Sequence, residues 1–296
     1  MAIYLGQFAA LAAAACWAFA TLLYSRSTIA LSSMQLNLVK GLVATPLLLV
    51  GIIFISQELW RGWTSNTLLI MFISGVVGIT LGDSLYFAAL RRLGPTRTIL
   101  LEYLAPPFAA LIAWLALSEI LTLGQAISSL VVILGVIWVL TERQQLGTVK
   151  PPRSGYLFGI GAAICQAVGL VMAFYAFANA SVSPLEAAFV RILAGTLILT
   201  LFLILSRPKI LKDTAKALKN TSLGMLFLAI FMGTFVAIWL QQIAVATVSP
   251  GIAQTLLSTA PLFMLGIQMI RGKLPTLRAI SGTLLALIGI AALFLT

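Results

Sequence analysis

The chain contains no histidine. That absence removes the Ser-His-Asp triad, histidine-ligated metal or haem, and any imidazole proton relay from the functions open to it. Cysteine is scarce. Cys16 and Cys165 are too few for a disulfide framework and read as small core residues. No glycine-rich phosphate loop of the Walker type occurs, so ATP is not the expected energy source, and no cofactor is implied. Negative charge is thin: 7 Asp and Glu stand against 18 Lys and Arg in 296 residues, and charged residues make up 8% of the total. A soluble protein carries about 25%, so this chain cannot coat a water-facing surface. The alternating segments of about 10 residues that mark a transmembrane β-barrel are also missing.

What the chain has is apolar sequence, 61% of it, in blocks of about 20 residues. That is the length a helix needs to cross a hydrocarbon core of roughly 30 Å. The blocks predict an all-α membrane protein with ten transmembrane helices, near 4–25, 34–56, 67–90, 96–117, 122–141, 155–178, 184–206, 222–245, 249–270 and 276–295. The first block begins at Met1 without a basic stretch and is too long for a signal-peptide core, so it reads as a retained span. The breaks carry turn chemistry, as in Arg91-Arg92-Leu93-Gly94-Pro95 and Ser206-Arg207-Pro208-Lys209. Segment 142–154, with two prolines and three cations, suits a linker between a first half, 1–141, and a second, 155–296.

The halves repeat. Ala105-Pro106-Pro107-Phe108 matches Ala260-Pro261-Leu262-Phe263 at an offset of 155, which also pairs Gly78 with Gly233 and Pro95 with Pro250. An offset of 154 pairs Thr122-Leu123 with Thr276-Leu277 and Gly135 with Gly289; 151 pairs Lys40 and Thr45 with Arg191 and Thr196; 149 pairs Cys16 with Cys165. Five spans per copy is an odd number, so the second copy enters the membrane from the opposite side. Inverted-topology repeats of this kind belong to secondary transporters that work by alternating access.

Cations are distributed unevenly. Counted from the side of both termini, Arg61 is the cation there, Lys40 and Arg191 lie inside spans, and all the others fall on the opposite side. The positive-inside rule makes that opposite side cytoplasmic and both termini extracytoplasmic, in a cell (inner) membrane. The net charge of +11 is thereby a topology signal and a contact for anionic headgroups. No nucleic-acid partner is expected.

The run Tyr86-Phe87-Ala88-Ala89-Leu90, Gly94-Pro95-Thr96-Arg97, Leu104 to Leu111 and Leu117-Ser118-Glu119 resembles the EamA-type repeat of the drug/metabolite transporter superfamily. The second copy reads Ala244-Val245-Ala246, Ser249-Pro250, Ala260-Pro261-Leu262-Phe263 and Gly272-Lys273, with Lys273 where the family's usual terminal Glu stands. Lys40 and Arg191 also suit the pattern. The resemblance covers nearly the whole chain. It implies a ten-helix permease for small metabolites such as amino acids, many members being exporters. It further implies a central cavity between spans 1–4 and 6–9, with spans 5 and 10 outside.

Ionisable residues inside a membrane are functional candidates. Lys40, Asp83 and Glu102 all lie about 10 Å deep from the cytoplasmic side, at 1.5 Å per residue, so they are expected to meet. They form either a structural Lys40–Asp83 or Lys40–Glu102 pair, or a site for a substrate or coupling ion. Arg191, near Glu186 at the other side, is expected to bond carbonyls, Glu186 or a substrate carboxylate, and Glu119 to cap or tie a helix end. The repeat counterparts of Asp83 and Glu102 are Ile238 and Leu257, so the second half supplies neutral groups: Gln241, Gln242, Gln254, Thr255, Ser258 and Thr259. Gln166 takes the place of Trp17. With Tyr86, Tyr103 and Trp239 these would make an aromatic and amide lining for an amphipathic solute, or ordinary helix packing. Tyr103, next to Glu102, is expected on a different face. Pro106, Pro107 and Pro261 lie inside spans and read as hinges or as plain kinks, Pro106 freeing the carbonyl of Glu102.

The expected function is a secondary transporter, an exporter or exchanger of small organic solutes with protons as the candidate coupling ion, acting as a monomer in the bilayer. A passive facilitator of the same solutes is the alternative. An intramembrane enzyme is more remote, since no paired aspartates, Ser-Lys couple or metal cluster stands out.

Overall fold

The computed structural model describes residues 2–27, 29–55, 59–117, 122–140, 151–248, 253, 256–272 and 274–295. Every regular element among them is helical. The helices are α1 (Ala2–Ser27), α2 (Ser33–Ile55), α3 (Ser65–Leu93), α4 (95–117), α5 (Leu123–Leu140), α6 (Arg153–Asn179), α7 (Pro184–Ser206), α8 (Ile210–Leu218), α9 (Leu223–Thr247), α10 (Ala260–Ile270) and α11 (Leu277–Leu295). Of these, α1, α2, α3, α6, α7 and α9 are long and apolar enough to cross a membrane. Large apolar side chains face outward, Phe54 at 84% and Ile288 at 64% exposure, which hydrocarbon satisfies and water would not. The chain is a multi-pass helical membrane protein. The predicted polar connection after span 7 carries a short helix instead, α8. Its turns bury Ile210 and Thr214 and leave the flanking lysines exposed.

Two helices are wound irregularly at matching places. α3 passes through a π-helical stretch at Val76–Asp83, and α9 through another at Phe231–Val236. The two stretches begin 155 residues apart, at the repeat offset. Such bulges are rare in helices and concentrate at functional sites.

The packing is paired across the halves. α1 lies against α9 as α6 lies against α3; α1 meets α10 as α6 meets the second part of α4; α2 packs on α7, and α5 on α11. Individual contacts obey the same relation. Gly6 abuts Thr247 and Val248, and its counterpart Gly155 abuts Arg92 and Leu93. A Cβ on Gly135 would stand 2.8 Å from the Ala286 nitrogen, and one on Gly289 would stand 2.9 Å from the Val132 nitrogen. These positions exchange under the offsets of 155, 154 and 149, so a two-fold pseudosymmetry runs through the helix crossings. It positions α1, α4, α6, α9 and α10 around one central space.

Candidate functional site

α1 carries Trp17, Thr21 and Tyr24 on one face, at helical spacing. Trp17 packs edge-on against Tyr86 at 6.1 Å between ring centroids. The Thr21 hydroxyl and the Tyr86 hydroxyl share a hydrogen bond of 2.6 Å. One turn on, Tyr24 and Thr234 hydroxyls are bonded at 2.9 Å, tying α1 to the π stretch of α9.

Lys40 and Asp83 form a buried ion pair. Asp83 is the last residue of the α3 π stretch, so the extra residue in that turn fixes which way its carboxylate faces. Lys40 Nζ also stands 5.7 Å from the Phe87 ring centroid. The pair, with Trp17, Thr21, Tyr24 and Tyr86, borders a small cavity of about 20 Å³. Charges withdrawn from water need each other: removing one partner of such a pair leaves the other uncompensated.

A second cavity, of about 50 Å³, lies between α1, α4, α6, α9 and α10. Trp17, Glu102, Tyr103, Gln166, Gln241, Leu257, Ser258 and Pro261 line it. The lining follows the pseudosymmetry. Trp17 and its counterpart Gln166 both line it, as do Glu102-Tyr103 and theirs, Leu257-Ser258. Glu102 is the one charged side chain among the lining residues. The volume accommodates a few waters at about 10–15 Å³ each and is well short of the roughly 300 Å³ of a ligand pocket.

Several expectations change here. Lys40 and Asp83 meet, but Glu102 borders the neighbouring cavity and makes no ion pair with a described residue. Asp83 is near enough to act on Glu102 through space, while α4 presents Glu102 to the central cavity beside α1 and α6. Tyr103 and Glu102 line the same cavity rather than different faces. The chain passes through a 3₁₀ turn at Glu102–Leu104 there. That turn also supplies the Glu102 carbonyl with the N–H of Ala105, so Pro106 does not leave it free. Pro106 and Pro107 are buried just beyond the turn, while Pro261 sits in the first turn of α10, where its missing N–H costs nothing.

Arg191 and Gln242 are buried away from the central cavity. Trp239 packs on Phe235 at 6.0 Å. Glu186 is not the partner of Arg191: its carboxylate accepts from the Trp60 backbone N–H at 2.9 Å and from Trp63 Nε1 at 2.7 Å. Gln254, Thr255, Glu119 and Lys273 lie outside the described residues. Sequence reasoning passed over Thr21, Tyr24 and Thr234. The first two were findable, since they share the α1 face of Trp17.

The sequence model of the EamA-like transporter family matches residues 4–141 and again 153–295. None of the curated proteins matches. Among the solved structures, one crystal structure of a protein superposes with a TM-score of 0.65 at 18% identity, over 98% of this chain and 95% of its own. At that identity it shows a shared fold alone.

Proposed function

The chain belongs to the EamA-like transporter family, and from that premise we propose that it is a secondary transporter of small organic metabolites such as amino acids, working by alternating access as an exporter or exchanger. The observation that carries this reading is the central cavity. Counterpart residues of the two repeats line it together, and among its lining residues stands a single carboxylate, Glu102. A site on a pseudo-two-fold axis is rearranged symmetrically when one repeat rocks against the other. The cavity's volume of about 50 Å³ is that of a closed conformation, and the paired π stretches in α3 and α9 are the natural places for the helices to bend.

In this reading the ten predicted spans form two inverted repeats with both termini outside the cell membrane. Reporter fusions at Thr296 are expected to read extracytoplasmic, and fusions between Lys209 and Lys219 cytoplasmic; a cytoplasmic Thr296 would overturn the arrangement. Glu102 binds either a proton or a substrate ammonium group, and that exclusivity couples the two in opposite directions. The test is uptake and efflux from proteoliposomes over a panel of amino acids, with and without an imposed pH gradient. Accumulation driven by the gradient supports the proposal. Equilibration without accumulation would mark a passive facilitator instead.

A further inference from the structure

The second-repeat counterpart of the Lys40–Asp83 pair is built differently. Lys40 corresponds to Arg191, Asp83 to Ile238 and Phe87 to Gln242. Arg191 is 1% exposed, and its Nε and Nη1 have no hydrogen-bond partner among the described residues. Gln242 is 0% exposed, and its Nε2 and Oε1 are equally without one. The helices carrying them, α7 and α9, pack together. Gln242 holds on α9 the position that Phe87, beside Lys40, holds on α3. Glu186 is already engaged by Trp60 and Trp63. The carboxylate that acts on Arg191 through space is Asp83, which is already ion-paired with Lys40. A buried cation without a counter-charge of its own is among the costliest groups a protein can hold, and a buried amide with its capacity unmet adds to the cost.

We propose that Arg191 and Gln242 bind a small monovalent anion inside the membrane, a chloride ion or a short carboxylate, which fills the role that Asp83 has in the first repeat. The guanidinium and the amide N–H groups are the donors such an ion needs. A Cβ on Gly78 would stand 3.2 Å from Arg191 Nη2, and one on Gly169 would stand 3.3 Å from it, so the guanidinium is packed against the backbones of α3 and α6, and the ion proposed beside it is a small one. This site is separate from the Glu102 cavity, and its occupation does not depend on what the protein transports.

Detergent-purified full-length protein tests the proposal by thermal unfolding, with no transport assay involved. The reference salt is sodium gluconate, whose anion is too bulky to enter such close packing. Sodium chloride or sodium acetate then replaces it at constant ionic strength. The wild type is expected to gain stability saturably, as ligand linkage requires. A gain with chloride alone identifies an inorganic ion, and a gain with acetate alone identifies a carboxylate. Arg191→Met is expected to melt independently of the anion and no lower than the wild type does in gluconate. Gln242→Leu keeps the charge and is expected to raise the half-saturating anion concentration about tenfold. Equal melting of the wild type in all three salts overturns the proposal, as does an anion response that survives in Arg191→Met. If Arg191→Met fails to fold, an unchanged half-saturating concentration in Gln242→Leu overturns it.

Discussion

The two halves share a scaffold and differ in charge. Gly6 and Gly155, Gly135 and Gly289, and the π stretches of α3 and α9 occupy equivalent places and make equivalent contacts. At the same equivalent places, Asp83 faces Ile238 in the alignment, Glu102 faces Leu257, and Phe87 faces Gln242. Helix crossings are constrained by backbone approach, where one added methyl group collides, so both copies retain them. Side chains lining internal spaces carry no such constraint, so chemistry was free to concentrate in one copy. A transporter built this way keeps a symmetric frame for motion and an asymmetric set of charges for selectivity.

The strongest way to break the comparison is to make the first half resemble the second. Asp83→Ile leaves Lys40 buried without a partner, and a loss of about 3–5 kcal/mol in stability is expected. Adding Lys40→Met should recover most of it, read as the melting temperature of purified protein. A single Asp83→Ile variant as stable as the wild type would mean that the pair is dispensable. The scaffold should respond evenly where the charges do not. Gly135→Leu and Gly289→Leu each drive a side chain into the α5–α11 contact and are expected to cost about 1–3 kcal/mol, by nearly equal amounts. A clear inequality between them would break the pseudosymmetry. A smaller effect sharpens the difference between the halves. Tyr24→Phe removes the bond to Thr234, which has no counterpart because Thr234 aligns with Ile79. About 1 kcal/mol is expected, measured by the same unfolding assay.

Much of the fold was legible in the sequence because its signals are one-dimensional. Apolar block length sets the span boundaries, and α1, α2 and α7 fall within two or three residues of the predicted ranges. The offsets that align Gly78 with Gly233 and Cys16 with Cys165 also relate the helix contacts of one half to those of the other. The short helix α8 was hidden because its lysine-rich sequence looked like a loop. The candidate site was only partly legible. Depth along a helix follows from residue counting, but the direction of a side chain around the axis depends on local winding. The π stretch that ends at Asp83 and the 3₁₀ turn at Glu102 alter that winding; Asp83 meets Lys40, and Glu102 borders the central cavity. Both irregularities depend on tertiary packing, which composition does not record. The bond of Glu186 to Trp60 and Trp63 was likewise invisible, because it joins positions more than 120 residues apart.

In the proposed mechanism Glu102 couples solute to protons within the central cavity. Its most direct test compares wild type with Glu102→Gln in proteoliposomes, for a solute that the wild type moves under an imposed pH gradient. The substitution keeps shape and hydrogen bonding and removes the charge. Gradient-driven accumulation is expected to disappear in Glu102→Gln while the protein remains folded. Transport at the wild-type rate with unchanged pH dependence would contradict the account and make Glu102 a structural residue.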